Sequence, residues 1–378
     1  MVSKRLSSPR MAIIGGGAIG LASAWTLARA GAQVTVLEAG PVAGQGALAA
    51  SGGMLAQGFE GANEDAGRAF VALAERSLSL WDDWAERLAP HAAAPLGYRR
   101  SGSLSPGFGS RGEAWLERLE ANALLYGIGF ERLDAAAARA VQPGLGDGLV
   151  GAMRFPGDGE IDNRALGPAL VNAIRAEGGE VRTSWPVTRV SSGRDGVALS
   201  GPAGRMEADR VILAAGWQSR DLSEDIPEAG LLVPVKGQML SVAPVVDLTG
   251  CIRAVDAYLS AKPGRIVIGA TSEVGASDDA TLPYLTSILR EAAEAVLPGL
   301  SRAETVEVWT GVRPGTSDSL PILGRSACEG VVLGLGAFRN GVLLAPAMAE
   351  TIRDLVLDQG EADPAFAPDR PLTALTQG

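Results

Sequence analysis

The chain has 378 residues, a formal net charge of −10 and an apolar fraction of 47%. This length and apolar content suffice for two domain cores, while the acidity and the lack of a basic run argue against nucleic acid or an anionic membrane as partner. Because the chain has only two cysteines, Cys251 and Cys328, and one histidine, His91, we expect no disulfide framework, no metal site and no histidine-dependent catalysis, so that a reaction here should depend on a cofactor.

The first predicted element is a βαβ unit. A short apolar strand leads into a glycine motif, an Ala-rich helix and a second strand that ends at Glu38. Gly15 permits a tight turn, Gly17 lets backbone N–H groups approach a pyrophosphate, and Gly20 lets the helix pack closely on the strand. Glu38 can accept hydrogen bonds from a ribose. The unit predicts a dinucleotide site that begins with Gly15, Gly17, Ala18, Ile19, Gly20, Glu38 and Ala39.

The same segment has some features of a membrane anchor. Residues 1–10 are basic, and residues 11–30 have about the length of a membrane span. The glycine and polar positions within that window argue against insertion. We therefore expect neither a signal peptide nor an anchor, and a cytoplasmic protein.

Residues 44–55 are small and nearly uncharged, which favours a buried segment along a flat cofactor over a flexible loop. Met54 could border the substrate cavity or fill the core. A helix is predicted over 64–90, and its Trp81 and Trp84 are expected in the core rather than in a binding site.

The middle of the chain alternates short strands and helices. Helices are predicted over 114–126, 135–141, 164–177 and 283–296, the third capped by Asp162 or Asn163. The apolar run 210–216 predicts a buried strand that returns to the nucleotide-binding sheet, and residues 231–310 alternate in strand fashion around the last of these helices.

The order of these elements resembles the D-amino acid oxidase family of flavoproteins, and most closely its glycine oxidase branch. The resemblance covers essentially the whole chain. It implies an α/β fold with a Rossmann-like FAD-binding domain over 10–90, 150–230 and 305–378, and a discontinuous, mostly antiparallel α+β substrate domain over 91–149 and 231–304. The motifs that carry it are the opening glycines and residues 50–55, 211–216, 234–238, 268–271, 309–318, 321–325 and 334–346.

What the resemblance implies is FAD-dependent oxidation of the α-C–N bond of a small amino acid or N-substituted glycine. Arg313 would bind the substrate carboxylate, Tyr258 would add a phenol hydrogen bond, and Arg339 would lie near the same group. No cysteine stands beside Arg313, so the FAD should be noncovalent. The further residues expected at the cofactor are Ala50, Ser51, Gly53, Met54, Val187, Ala215, Gly216, Trp217, Gly311, Arg313, Gly336, Arg339, Asn340, Gly341, Val342 and Leu343.

No general base is required by this chemistry, because the α-hydride passes to flavin N5 and the imine hydrolyses in water, with O2 reduced to H2O2. A helix from about residue 342 would direct its positive end at the flavin pyrimidine edge. Members with a glycine-specific pocket carry a histidine and a methionine where this chain has Asp256 and Ser272, the latter followed by Glu273. These differences indicate a polar or cationic group on the substrate, with the alternative that Asp256 and Glu273 are directed to solvent and do not line the pocket.

Two alternatives stay open at this point. The chain could be the flavoprotein subunit of a multimeric amine, opine or sarcosine dehydrogenase that passes electrons to a partner or quinone. It could also be a noncatalytic FAD-binding protein, although a carboxylate-binding set beside the cofactor motifs argues against that. A homo-oligomer and a hetero-subunit are both compatible with the sequence.

Overall fold

The computed structural model of the chain describes residues 9–63, 67–193 and 196–372. Within these residues the chain forms nine α-helices and twenty β-strands. The helices are α1 (Ala18–Arg29), α2 (Ala47–Ala50), α3 (Gln57–Asn63), α4 (Gly67–Leu88), α5 (Gly109–Tyr126), α6 (Ala135–Val141), α7 (Asn163–Ala176), α8 (Pro283–Val296) and α9 (Gly341–Val356). The strands are β1 (Arg10–Ile14), β2 (Gln33–Leu37), β3 (Met54–Leu55), β4 (Ser103–Phe108), β5 (Glu131–Asp134), β6 (Leu149–Phe155), β7 (Gly159–Glu160), β8 (Glu180–Arg182), β9 (Arg189–Gly193), β10 (Gly196–Gly201), β11 (Gly204–Ala208), β12 (Arg210–Leu213), β13 (Val233–Val242), β14 (Cys251–Arg253), β15 (Tyr258–Lys262), β16 (Arg265–Gly269), β17 (Glu273–Val274), β18 (Thr305–Gly315), β19 (Ile322–Arg325) and β20 (Val331–Leu335).

The first large sheet contains the predicted βαβ unit. Its strand order is β19-β20-β12-β1-β2-β8, and all neighbours are parallel except β19 and β20. Successive residues of β1 enter two different cores, because Ile13 packs with α1, α7 and α9 on one face and Ile14 packs with β10 on the other. A parallel sheet that is covered on both faces explains why β1 and β20 are apolar along almost their whole length. The Rossmann-like α/β prediction is confirmed.

The second large sheet has nine strands. They run in the order β17-β13-β16-β15-β14-β4-β6-β5, and β18 pairs with β13 as well. Only β4 and β14 are parallel neighbours among the described pairs. α8 covers one face of this sheet through Leu289 and Ala293. The mostly antiparallel second sheet is therefore also confirmed.

Most helix predictions agree with the structure within a few residues. α6 and α8 have the predicted bounds, while α5 begins five residues before its predicted start. Asp162 caps α7 by accepting a hydrogen bond from the Arg164 N–H at 2.9 Å. α4 is described from Gly67, so the predicted start at residues 64–66 lies outside the described residues.

Trp81 and Trp84 on α4 are core residues, as predicted. Both side chains are buried, and their ring centroids lie 6.1 Å apart in an edge-to-face arrangement. The domain limits drawn from the sequence stay a prediction. β6 and β18, which those limits assign to the FAD-binding part, are hydrogen-bonded into the nine-stranded sheet. Among the described residues, no helix combines the length and apolarity needed to cross a membrane.

Candidate active site

A cavity of about 1190 Å³ lies between the two large sheets. It opens at the carboxyl ends of β1, β2, β12 and β20 and continues under β13, β15 and β18. Ligands of open parallel sheets bind at this edge, where the strand order reverses. The volume exceeds the roughly 300–1,000 Å³ of sites for one small molecule, so a dinucleotide and a small substrate can occupy it together.

The glycine motif forms one end of this cavity. Gly15 has a φ of 108°, and a Cβ there would lie 2.5 Å from the Ala214 carbonyl oxygen. A Cβ on Gly20 would lie 1.9 Å from the Gly15 carbonyl oxygen, so this glycine serves the packing of α1 on β1 and does not border the cavity. A Cβ on Gly17 would contact no other residue and would project into open space.

The amino end of α1 is free to bind an anion. Its N-cap, Gly17, makes no side-chain cap, and the first turn contains no acidic residue. The first N–H groups of a helix lack internal partners and carry the positive end of the helix dipole. This end of the cavity therefore suits a pyrophosphate.

Glu38 borders the cavity at the end of β2. Its carboxylate accepts hydrogen bonds from the Gly16 N–H at 2.8 Å and the Gly40 N–H at 2.7 Å. A carboxylate has about four acceptor positions, so two oxygen lone pairs are left for ribose hydroxyls. The backbone bonds fix the side chain at the place where the sequence predicts the ribose.

The small-residue segment 44–55 forms a wall of the cavity. It contains α2 and β3, and the Ala50 carbonyl accepts a hydrogen bond from Trp309 Nε1 at 3.0 Å. A Cβ on Gly311 would lie 2.4 Å from the Ala50 Cβ, so the segment lies directly on β18. Met54 borders the cavity and also packs against the hydrophobic core.

The start of α9, a helix that packs against α1, forms another part of the cavity wall. Asn340 is its N-cap and makes no side-chain cap, and the first turn contains no acidic residue. Leu343 was expected at the cofactor but does not border the cavity; its carbonyl accepts hydrogen bonds from Ser77 Oγ at 2.6 Å and Trp81 Nε1 at 3.1 Å. Apart from Gly20 and Leu343, the predicted residues all border the cavity: Gly15, Gly17, Ala18, Ile19, Glu38, Ala39, Ala50, Ser51, Gly53, Met54, Val187, Ala215, Gly216, Trp217, Tyr258, Gly311, Arg313, Gly336, Arg339, Asn340, Gly341 and Val342.

These walls fit FAD. Two uncapped helix ends, a fixed carboxylate and a long wall of small side chains supply N–H donors, a ribose acceptor and room for a flat ring. Cys251 is buried against Ser260, and Cys328 contacts Ser192. Neither cysteine is among the described residues that border the cavity, so the described walls offer no thiol to a flavin.

Arg313 on β18 belongs to the charged end of the cavity. Its guanidinium lies over Gly237 of β13, where a Cβ would be 2.5 Å from both terminal nitrogens. Nη1 donates to the Thr271 carbonyl at 3.1 Å, and Arg313 pairs with no carboxylate among the described residues. Burial lowers the pKa of this guanidinium. Arginine nevertheless stays protonated in proteins, so the side chain presents an uncompensated positive charge.

Tyr258 on β15 stands beside Arg313. Its ring lies on Gly269, where a Cβ would be 2.4 Å from the phenol oxygen, and against Gly52 of the small-residue wall. Burial raises the pKa of Tyr258, and the nearby positive charge of Arg313 opposes this shift. The phenol is therefore protonated at neutral pH and can donate a hydrogen bond.

Glu60 and Arg253 are two charged residues of this site that the sequence analysis missed. Glu60 on α3 is 5% exposed, and its carboxylate accepts from Arg339 Nε at 2.7 Å and from Arg253 Nη2 at 2.5 Å. Burial favours the protonated acid, but the guanidiniums of Arg339 and Arg253 outweigh it and lower the pKa of Glu60. A signal was present, because Glu60 is the only charged residue between Gly44 and Ala62.

The expected acidic pocket is not found at the predicted residues. Asp256 borders the cavity, but its carboxylate is held by Arg111 at 2.8 and 2.9 Å on the exposed surface. Ser272 borders the cavity without a charge, and Glu273 is not among its lining residues. The charged side chains near Tyr258 are instead the cations Arg313 and Arg253, and the guanidinium carbon of Arg253 lies 5.7 Å from the ring centroid. Exposed Asp278 and Asp279 also line the cavity, and Asp278 pairs with Lys236.

Residues 10–355 match the protein-family model described as FAD dependent oxidoreductase. The chain belongs to this family. The bound cofactor of the enzyme is therefore FAD, and the amino acid oxidase resemblance seen in the sequence is confirmed.

Individual relatives of this oxidoreductase are similar over most of its length. Glycine oxidase of Geobacillus kaustophilus is 32% identical over 354 residues, which make up 92% of either chain. The crystal structure of glycine oxidase from the same organism has a TM-score of 0.89 and 31% identity, and covers 97% of this chain and 100% of that one. The bifunctional protein ThiO/ThiG of Synechocystis sp. is 33% identical over 380 residues, or 96% of this chain. The chain spans about half, 54%, of that bifunctional protein.

Proposed function

We propose that the enzyme oxidises the α-C–N bond of a small amino acid or N-substituted glycine to an imine, which water converts to a keto acid and ammonia or an amine. The observation that carries this proposal is the half-buried Arg313, which has no carboxylate partner among the described residues and lies beside protonated Tyr258. A planar guanidinium binds both oxygens of a carboxylate, which an amino acid supplies. The glycine oxidase relatives support the same substrate class.

The side chains of this site orient the substrate rather than take its protons. Arg313 and Tyr258 bind the α-carboxylate, and Glu60 holds the Arg339 guanidinium at the same end of the cavity. FAD, when bound, supplies the two-electron acceptor for the α-hydride. The uncapped start of α9 carries the positive end of the helix dipole, which stabilises negative charge on a group bound next to it in the cavity. Since no histidine borders the described cavity, orientation is the main contribution of the protein.

Electron transfer to O2 with formation of H2O2, and a cytoplasmic location, complete the proposal. Two free cysteines accord with a reducing compartment. If the reduced flavin passes its electrons to a partner protein or a quinone, that acceptor takes the place of O2 in the reaction.

The test is anaerobic mixing of the purified FAD-containing enzyme with glycine, sarcosine, D-amino acids, L-amino acids and basic amines, followed by admission of air. Loss of the flavin absorbance with one class identifies the substrate, and rapid recovery in air identifies O2 as acceptor. Slow recovery in air together with fast recovery on adding a quinone would contradict the oxidase part. A flavin that no amine reduces would contradict the catalytic proposal.

A further inference from the structure

Arg253, at the end of β14, is held from four directions. It is 9% exposed, and its Nη2 donates to Glu60 at 2.5 Å. The guanidinium carbon lies 4.2 Å from the centroid of the Phe59 ring and 5.7 Å from that of Tyr258. Nη1 contacts Met54 Sδ at 3.0 Å. The guanidinium is thus fixed in the wall of the cavity by a carboxylate, two rings and a thioether.

This arrangement leaves most of the Arg253 donors unused. A guanidinium has five N–H donors, and Arg253 makes two hydrogen bonds in the described residues. One of these goes to a thioether, which is a weak acceptor. Arg253 borders the cavity, and none of its nitrogens is a fully buried atom without a hydrogen-bond partner, so its remaining N–H groups are accessible from the cavity. A ligand with a suitably placed anionic oxygen could accept hydrogen bonds from them.

Two acids could accept hydrogen bonds from the remaining Arg253 N–H groups, Asp256 and Glu60, and both are already engaged. Asp256 is engaged by Arg111, and Glu60 already accepts from Arg253 itself. The positive charge of Arg253 also lowers the pKa of Arg313, after the larger effects of burial and of the other charges near it. The guanidiniums of Arg253 and Arg313 therefore lie close enough to influence each other, and both lie close to Tyr258.

We propose that Arg253 is a second anion-binding position, and that the preferred amine carries a second carboxylate or comparable oxyanion in addition to its α-carboxylate. The inference rests on the proposed function and narrows its substrate class. Arg313 and Tyr258 bind the first carboxylate, while the free N–H groups of Arg253 bind the second one. Met54 is flexible and unbranched, so its thioether can move from Nη1 when the ligand enters.

The first test measures binding without turnover. Thiodiacetate and (methylthio)acetate differ by one carboxylate, and neither carries a C–N bond. Their dissociation constants for the FAD-loaded enzyme are measured by calorimetry. We expect thiodiacetate to bind about 10- to 150-fold more tightly, as for one hydrogen-bonded charge pair. A ratio near one in the unmodified enzyme would overturn the proposal.

Two single-residue variants test whether Arg253 is responsible for the difference in affinity between the two ligands. Arg253→Met removes the charge with a side chain of similar length, and Arg205→Met removes an exposed charge that borders no part of the described cavity. We expect the ratio of the two constants to fall to near one in Arg253→Met and to be kept in Arg205→Met. An unchanged ratio in Arg253→Met would refute the assignment. If that variant does not fold, Arg253→Lys replaces it, and its point charge should retain only part of the ratio because the fork is lost.

The second test uses substrates. Iminodiacetate and sarcosine differ by the same carboxylate, and we expect kcat/KM for flavin reduction to favour iminodiacetate by a similar factor. Sarcosine oxidised as well as iminodiacetate would contradict the proposal while leaving the proposed function intact. If neither compound nor any other amine reduces the flavin, the proposed function fails, and the binding ratio still decides the role of Arg253.

Discussion

The two ends of the cavity are built in different ways. At the dinucleotide end, backbone N–H groups, uncapped helix starts and glycines within short segments form the walls. At the substrate end, the groups that act are side chains on β14, β15, β18 and α3, and these elements are far apart in the chain. Glu60 and Arg253, for example, are separated by 193 residues and meet at 2.5 Å.

This difference decides what each end depends on. The dinucleotide end depends on local backbone geometry, so a single methyl group in the wrong place damages it. The substrate end depends on charges taken out of water, which stabilise the fold only when each finds its partner or its ligand. The four predictions that follow test this contrast.

The largest effect is expected at Arg313. Arg313→Ala should lower kcat/KM for flavin reduction by about 30- to several-thousand-fold, as for truncation of one member of a buried charge pair, roughly 2–5 kcal/mol. FAD content should stay unchanged, because the guanidinium lies over Gly237 of β13, whereas the predicted pyrophosphate and ribose contacts belong to the start of α1 and to Glu38. Arg313→Lys is the matched control and should recover part of the loss. If Arg313→Ala and the native enzyme had the same kcat/KM, Arg313 would not bind the substrate carboxylate.

Asp158 supports the substrate end from outside the cavity. Its carboxylate accepts from the N–H of Gly58 at 2.6 Å and of Phe59 at 3.2 Å, and from Ser103 Oγ at 2.6 Å, so it holds the start of α3 and thereby Glu60. Burial, opposed by these bonds, raises the pKa of Asp158 to about 6. The folded protein therefore binds this proton more tightly than the unfolded chain, and the ionised side chain costs stability as the pH rises.

The difference in free energy of unfolding between the native enzyme and Asp158→Asn should consequently fall by about 2 kcal/mol between pH 4 and pH 7, and stay constant above that range. Chemical unfolding of both proteins across this range measures it. A difference that rises with pH would mean that the hydrogen bonds outweigh burial and that the pKa is lowered.

Two glycines of the same motif should separate packing from ligand contact. Gly20→Ala places a Cβ 1.9 Å from a backbone oxygen and should lower the free energy of unfolding of the apoprotein by about 1–3 kcal/mol. Gly17→Ala places its Cβ in open cavity space at a φ of −85°, which alanine adopts without strain. Its apoprotein should unfold like the native one, while its affinity for FAD decreases.

Apoprotein melting and FAD titration distinguish these outcomes. Gly129→Ala is the control, because a Cβ there also meets no other residue and the position does not border the FAD cavity. If Gly17→Ala bound FAD as tightly as the native chain, the pyrophosphate would not approach this turn.

The dinucleotide end of the cavity is easier to predict from the sequence than the substrate end, because its walls come from local backbone geometry. Gly15, Gly17 and Glu38 were predictable because their roles follow from spacing within one βαβ unit. Tyr258 was indicated only through resemblance to a family, whereas Arg313 also stood out locally, because Gly311, Pro314 and Gly315 frame it in an otherwise uncharged segment. A further sequence signal for each side chain is a glycine elsewhere in the chain. The missing Cβ of Gly237 makes room for Arg313, and that of Gly269 makes room for Tyr258.

Glu60, Arg253 and Leu343 show where the prediction stops. Glu60 was recognisable as an isolated charge, but its partners come from β14 and from the loop before α9, and pairing across such distances has no local pattern. Leu343 follows two residues that do border the cavity, yet the turn of the helix directs its carbonyl to Ser77 and Trp81. Residues adjacent in a helix face different directions.

The smallest effect is expected at Asp256. The sequence offered Asp256 either as an acid that selects polar or cationic substrates or as a solvent-directed residue, and the structure holds its carboxylate with Arg111 where both side chains are more than half exposed. Exposed ion pairs contribute little, so Asp256→Asn should change the ratio of kcat/KM for basic and neutral amines by less than about threefold. Arg111→Met is the complementary variant, because it frees the carboxylate at the cavity rim and should raise that ratio slightly. A large decrease in kcat/KM for basic amines in Asp256→Asn would indicate that Asp256 does select cationic substrates, and it would weaken the argument that Arg253 binds a second carboxylate.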